Sequence, residues 1–129
     1  MSFHYTVESN KSLEEAMETI EGNLQAIKFG VLWHTNITEN LKNKGLTKIQ
    51  DSYNVMEVCS PFEAEKVLSQ NPDAHYFLPC KITVFEKDGK THIGLPRPTA
   101  LMEPLNDPEL IEIVQNIENN LIEVLDKSK

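Results

Sequence analysis

The dipeptide Asp88-Gly89, held between Lys87 and Lys90, constrains this chain more than any other pair of residues in it. A two-residue hairpin loop needs left-handed backbone torsions, which glycine adopts freely and aspartate tolerates. Fixing that loop fixes a register. Val84 then faces Ile93 and Ile82 faces Leu95 on one apolar side, while Phe85 faces His92 on the other. Cys80 shares phase with Ile82 and Val84, so it is expected on the core side.

Other segments add to this hairpin. Residues 3–8 alternate apolar Phe3, Tyr5 and Val7 with polar His4, Thr6 and Glu8, the pattern of a strand with one buried face. Ser12 and Glu15 form a capping box ahead of Leu13, Met17, Ile20, Leu24 and Ile27, whose spacing predicts a helix over 13–27. Gly22 inside it costs about 1 kcal/mol relative to alanine, so either the helix is weak there or a neighbour packs close. A second strand covers 29–34, with Phe29, Val31 and Trp33 on one side and Leu32 and His34 on the other. A short helix over 38–44 stops at Gly45. The strand Tyr53-Asn54-Val55-Met56-Glu57-Val58-Cys59 leads into a helix with Ser60 as cap, Pro61 first and Glu63 closing the box, ended by Asn71-Pro72.

A further strand begins at Leu78-Pro79-Cys80, so both cysteines stand at strand ends. Leu95-Pro96-Arg97-Pro98 closes the sheet, and 99–106 reads as a connector. Asp107-Pro108-Glu109 opens a last helix, with Leu110, Val114, Ile117, Leu121 and Val124 or Leu125 as its apolar stripe. Glu112, Glu118, Glu123 and Asp126 form its wet face. The 129 residues fit one domain, 1–129.

Charge and cysteine content bound the function. A net charge of −8 disfavours nucleic acid, whose nonspecific affinity comes from Lys and Arg neutralising phosphates, and it disfavours membrane surfaces likewise. Lys81, Lys87, Lys90 and Arg97 are scattered among an acid excess. No basic segment leads into an apolar run at the N-terminus and no stretch is long enough to span a membrane, so a cytoplasmic protein with reduced thiols is expected. The acidic residues Glu14 and Glu15, and those across 57–65, are read as solvated helix faces.

Phe29-Gly30-Val31-Leu32, Val58-Cys59-Ser60-Pro61 and Phe77-Leu78-Pro79-Cys80, in that order, resemble the signature of the bacterial and archaeal family known as domain of unknown function 302. The resemblance covers nearly the whole chain. It implies an α+β fold of the TATA-binding-protein-like kind, an antiparallel sheet with helices packed on one face in the order strand, helix, four strands, helix. It also implies pairing as a homodimer. The chain departs from the family pattern at Asn36, where an acidic residue is common, and at Glu57, where glycine is. It departs again at Ser60 and Lys81, where asparagines follow the thiols.

For chemistry, three readings of the cysteines stand: two small buried core residues, a soft-metal or reactive-thiol site, or a disulfide. The candidate ligand site is Cys59, Ser60 and Cys80, with His34 as an outlying member, and an anion or soft metal as its ligand. The start of the helix after Cys59 offers an anion free backbone N–H groups. The metal candidates are Cys59, Cys80, His34 and His75, since zinc needs about four ligands and the chain has no Cys-x-x-Cys. Phosphate-binding glycine loops, Gly-x-Ser-x-Gly and His-Glu-x-x-His are absent, and no catalytic residue or cofactor is assigned. The leading expectation is a homodimeric small-ligand-binding or interaction module without catalysis. The alternative is a thiol- or metal-dependent enzyme, or a metal-binding protein, centred on Cys59 and Cys80.

Overall fold

A computed structural model describes residues 2–129. In chain order the elements are β1 (His4–Ser9), α1 (Leu13–Ala26), β2 (Gly30–Asn36), α2 (Ile37–Lys42), β3 (Tyr53–Cys59), α3 (Pro61–Gln70), a 3-10 helix (Pro72–Phe77), β4 (Cys80–Lys87), β5 (Lys90–Pro96), α4 (Pro98–Met102), a 3-10 turn (Glu103–Leu105) and α5 (Pro108–Ser128). The strands form one antiparallel sheet in the order β1-β5-β4-β3-β2. The architecture is α+β, and the order strand, helix, four strands, helix is its skeleton, with shorter helices set between the strands.

The hairpin register is the one Asp88-Gly89 dictates, with Val84 opposite Ile93 and Phe85 opposite His92. Asp88 and Gly89 both take positive φ, 53° and 75°. Met56, Val58, Ile82, Val84, Ile93 and Leu95 are buried on one side of the sheet, against Ala16, Ile20 and Leu24 of α1, Val67 of α3 and the stripe Leu110, Val114, Ile117, Leu121 and Leu125 of α5. Each such Leu, Ile or Val contributes about 1.5–3 kcal/mol by leaving water. The opposite side carries no helix and presents Tyr53, Val55, Glu57, Lys81, Thr83, Phe85 and His92, none of them buried. There Phe85 stacks on Tyr53 at 6.0 Å and on His92 at 5.4 Å between ring centroids.

Ser12 and Glu15 close their capping box, the hydroxyl accepting from Glu15 N and the carboxylate from Ser12 N. Gly22 lies on the exposed face of α1, and a methyl group added there would meet nothing within 4 Å. Helix weakness is therefore the right account of Gly22. Gly22→Ala is expected to stabilise the protein by about 1 kcal/mol, raising the melting temperature by about 4 °C in a calorimetric scan.

Five sequence expectations are corrected. Phe3 precedes β1 and is 64% exposed, so the inward face of that strand is Tyr5, Val7 and the buried Ser9. β2 carries a bulge between Val31 and Trp33, so Val31 pairs with Val58 but Trp33 with Glu57 and His34 with Met56. The extra residue reverses the alternation beyond it: Trp33 joins the open face, and His34 moves to the helix-covered side with Val31. Ser60 occupies the cap position of α3 but its hydroxyl makes no capping bond. The connector over 99–106 is largely helical, because Pro98 takes the first position of α4, where a missing N–H costs nothing.

Glu118, lastly, lies not on the wet face of α5 but 2% exposed beneath the β5–α4 turn. Its carboxylate accepts from Arg97 Nε at 3.2 Å, Thr99 N at 3.0 Å and Thr99 Oγ1 at 2.7 Å. Arg97 in turn donates to the carbonyl of Ser2 at 2.7 Å, so one guanidinium ties the segment ahead of β1 to the C-terminal helix.

Candidate functional site

Cys59 ends β3 opposite Gly30, and Cys80 begins β4 opposite Val58, which makes the two cysteines diagonal neighbours across the β3–β4 ladder. Both are free thiols and both line one small void with Ser60, under α3. Ser60 itself is buried. The void measures about 10 Å³, at the lower limit for a single water molecule. Apart from Ser60, the thiols and the carboxylate Glu63, its lining is apolar, from Phe29, Val58, Ala64, Val67, Leu78 and Ile117.

That setting disfavours thiolates. Burial pushes the Cys59 thiol up. Burial, and then the proximity of Cys59, push Cys80 up to about 11. Both shifts favour the thiol over the thiolate.

The histidines stand elsewhere. His34 is four residues along β2 from Gly30, the partner of Cys59, which at the rise of a strand is about 13 Å. Its Nε2 lies 3.1 Å from Asn54 Oδ1, and it borders a shallow groove with Glu14, Glu18 and Glu21 of α1. His75 is exposed on the 3-10 helix, with Nδ1 2.8 Å from the carbonyl oxygen of Pro72. The fold brings Cys59, Ser60 and Cys80 together and leaves His34 and His75 apart. Among the described residues no three of His, Cys, Asp and Glu converge as a metal site would require.

Beside the thiol corner the structure holds a larger cleft of about 440 Å³, lined by Glu57, residues 76–81, Pro96, Pro98 and Leu101. Cys80 lines both cavities. The cleft forms because β4 begins where β5 ends. The 3-10 helix delivers Phe77, Leu78 and Pro79 to one wall, while Pro96 and the first turn of α4 supply the other. Prolines at 79, 96 and 98 stiffen both walls, since each has its φ fixed. Tyr76 stands at the lip, 77% exposed. A volume of this size lies within the range of small-molecule pockets, about 300–1,000 Å³, and a mainly apolar wall with a few polar groups is their usual character.

Apart from Cys80, sequence reasoning missed this cleft. The signal was present: extending the hairpin register away from Asp88-Gly89 sets Leu78-Pro79-Cys80 beside Leu95-Pro96-Arg97-Pro98, two proline-bearing segments meeting at one end of the sheet.

The sequence profile of the family described as "Domain of unknown function DUF302" matches residues 5–128. A crystal structure of an uncharacterized conserved protein DUF302 from Bacillus stearothermophilus is similar over 100% of both chains, at 42% identity and a TM-score of 0.97. No curated protein matches the chain. No helix among the described residues is long and apolar enough to cross a membrane.

Proposed function

We propose, from the premise that this chain belongs to the DUF302 family, that it is a small-ligand-binding module that works as a homodimer without catalysis of its own. The observation that carries the reading is the 440 Å³ cleft with its stiff apolar walls. The raised pKa values of the only two thiols favour binding over nucleophilic chemistry. A cytoplasmic setting belongs to the same proposal. The pairing of two copies is supported by the open sheet face, where the stack of Tyr53, Phe85 and His92 continues into Val55 and Thr83 without a helix over it.

Amide NMR spectra recorded with a library of small apolar fragments test the binding claim. Hits are expected to move Phe77, Leu78, Lys81 and Leu101 together; a library that moves none of these removes the cleft as a ligand site. Sedimentation at micromolar concentration is expected to give a dimer, and a monomer alone would remove the pairing.

A second reading, a soft-metal or reactive-thiol site at Cys59 and Cys80, is favoured by one observation, that both line the same void. Alkylation by iodoacetamide separates the two. On the binding reading both cysteines react slowly at pH 7, Cys59 accelerates first as pH rises, and Cys80 follows only toward its pKa of about 11. Rapid labelling of Cys59 well below the ~8.5 of a free thiol, or metal retained after purification without chelator, would establish the second reading instead.

A further inference from the structure

The cleft has one lip that its apolar walls do not explain. Glu57 and Lys81 face each other across the β3–β4 ladder and both line the opening. Directly opposed residues on neighbouring strands hold their Cβ atoms about 5 Å apart, close enough for these two side chains to satisfy each other. They do not. The ion pairs among the described residues are Lys66–Glu63, Lys90–Glu8, Arg97–Glu118 and Lys127–Glu123, and neither lip residue takes part. A cation and an anion thus stand side by side above an apolar trough, each free to take a partner of its own.

We propose that the cleft receives a small apolar zwitterion built like a free α-amino acid, its carboxylate on Lys81, its ammonium on Glu57 and its side chain against Phe77, Leu78, Pro96 and Leu101. The proposal rests on the reading of the cleft as a ligand site and adds the class of ligand. Two opposite charges carried on one carbon match two opposite charges on directly opposed strand positions. A ligand with only a carboxylate gains Lys81 but meets Glu57, and a ligand with only an amine gains Glu57 but meets Lys81. The lip selects by repulsion as well as attraction.

Three probes of one apolar body decide it: L-phenylalanine, 3-phenylpropionate and phenethylamine, each titrated into the protein and followed at the Phe77, Lys81 and Leu101 amides. Phenylalanine is expected to bind about tenfold more tightly than either singly charged probe, the ratio that one charge-assisted contact supplies. Lys81→Met is expected to bring phenylalanine down to the affinity of phenethylamine, and Glu57→Gln to that of 3-phenylpropionate; both positions are outside the core, and circular dichroism checks that the fold is kept. Equal binding of all three probes in the cleft would overturn the zwitterion and leave the ligand site standing. So would fragments that bind there while none of the three does. If neither fragments nor probes move the cleft, site and ligand class fall together.

Discussion

Arg97→Ala is expected to destabilise the protein by about 3–5 kcal/mol, because it leaves the buried carboxylate of Glu118 without its counter-charge. Desolvation pushes the Glu118 carboxyl up, but the hydrogen bonds from Thr99 and the guanidinium of Arg97 outweigh it, and the group titrates below the usual carboxylate range. A depressed folded pKa stabilises the protein above the unfolded value, about 4.3, and that contribution is lost as pH falls through the folded pKa. In Arg97→Ala the carboxyl keeps its burial and loses the cation, so its pKa rises and the variant suffers most at neutral pH. Urea unfolding at pH 7 and pH 3 should therefore show the gap between variant and parent narrowing in acid. A gap that stays constant would mean that Arg97 acts through its bonds to Ser2 and Thr99, or its packing, and not through charge. The double variant Arg97→Ala, Glu118→Leu is expected to be more stable than Arg97→Ala alone, since no unpaired charge remains.

The second large effect is at Gly94. This residue lies in β5 between Thr6 of β1 and Thr83 of β4, on the face without helices, and yet it is buried. A Cβ there would collide with Thr6 Oγ1 and come within 2.9 Å of the Tyr5 carbonyl oxygen and 3.0 Å of Thr6 Cβ. A side-chain hydroxyl can turn aside, but a backbone carbonyl moves only with its strand. Gly94→Ala is expected to cost about 3 kcal/mol, at the upper end of overpacking, and to raise hydrogen exchange across β1 before the rest of the sheet. Adding Thr6→Ala should restore only part of the loss, because the Tyr5 carbonyl stays in place. Full restoration would show the clash to be with the hydroxyl alone.

The sequence made legible what neighbouring residues decide among themselves. The Asp88-Gly89 register, the Ser12/Glu15 box and the span of β3 all follow from chemistry within a few residues. Features fixed by distant partners were not legible. Glu118 resembles Glu112 and Glu123 on the same helix, and only the arrival of Arg97 from the β5–α4 turn decides which carboxylate is buried. The bulge in β2 has no composition of its own, so strict alternation places Trp33 and His34 on the wrong faces. Proline density made α4 look like a connector, although Pro98 is a helix-opening residue and Thr99 to Met102 follow it as a turn of helix. The thiol corner follows from two strand ends, whereas the cleft beside it depends on two proline segments that the sheet brings together.

The bulge in β2 also bears on what the protein avoids. β2 is an outer strand, with Leu32 and Trp33 exposed, 64% and 52%, and a flat apolar margin of that kind would invite another copy to extend the sheet, then a third. The irregularity at Leu32 breaks the repeat of donors and acceptors along that margin and adds local twist, so an arriving strand cannot keep step along it. Growth by margin-to-margin addition has no natural end, whereas contact through a broad surface about a two-fold axis closes on itself at two copies. One surplus residue in an outer strand thus guards the chain against becoming a filament.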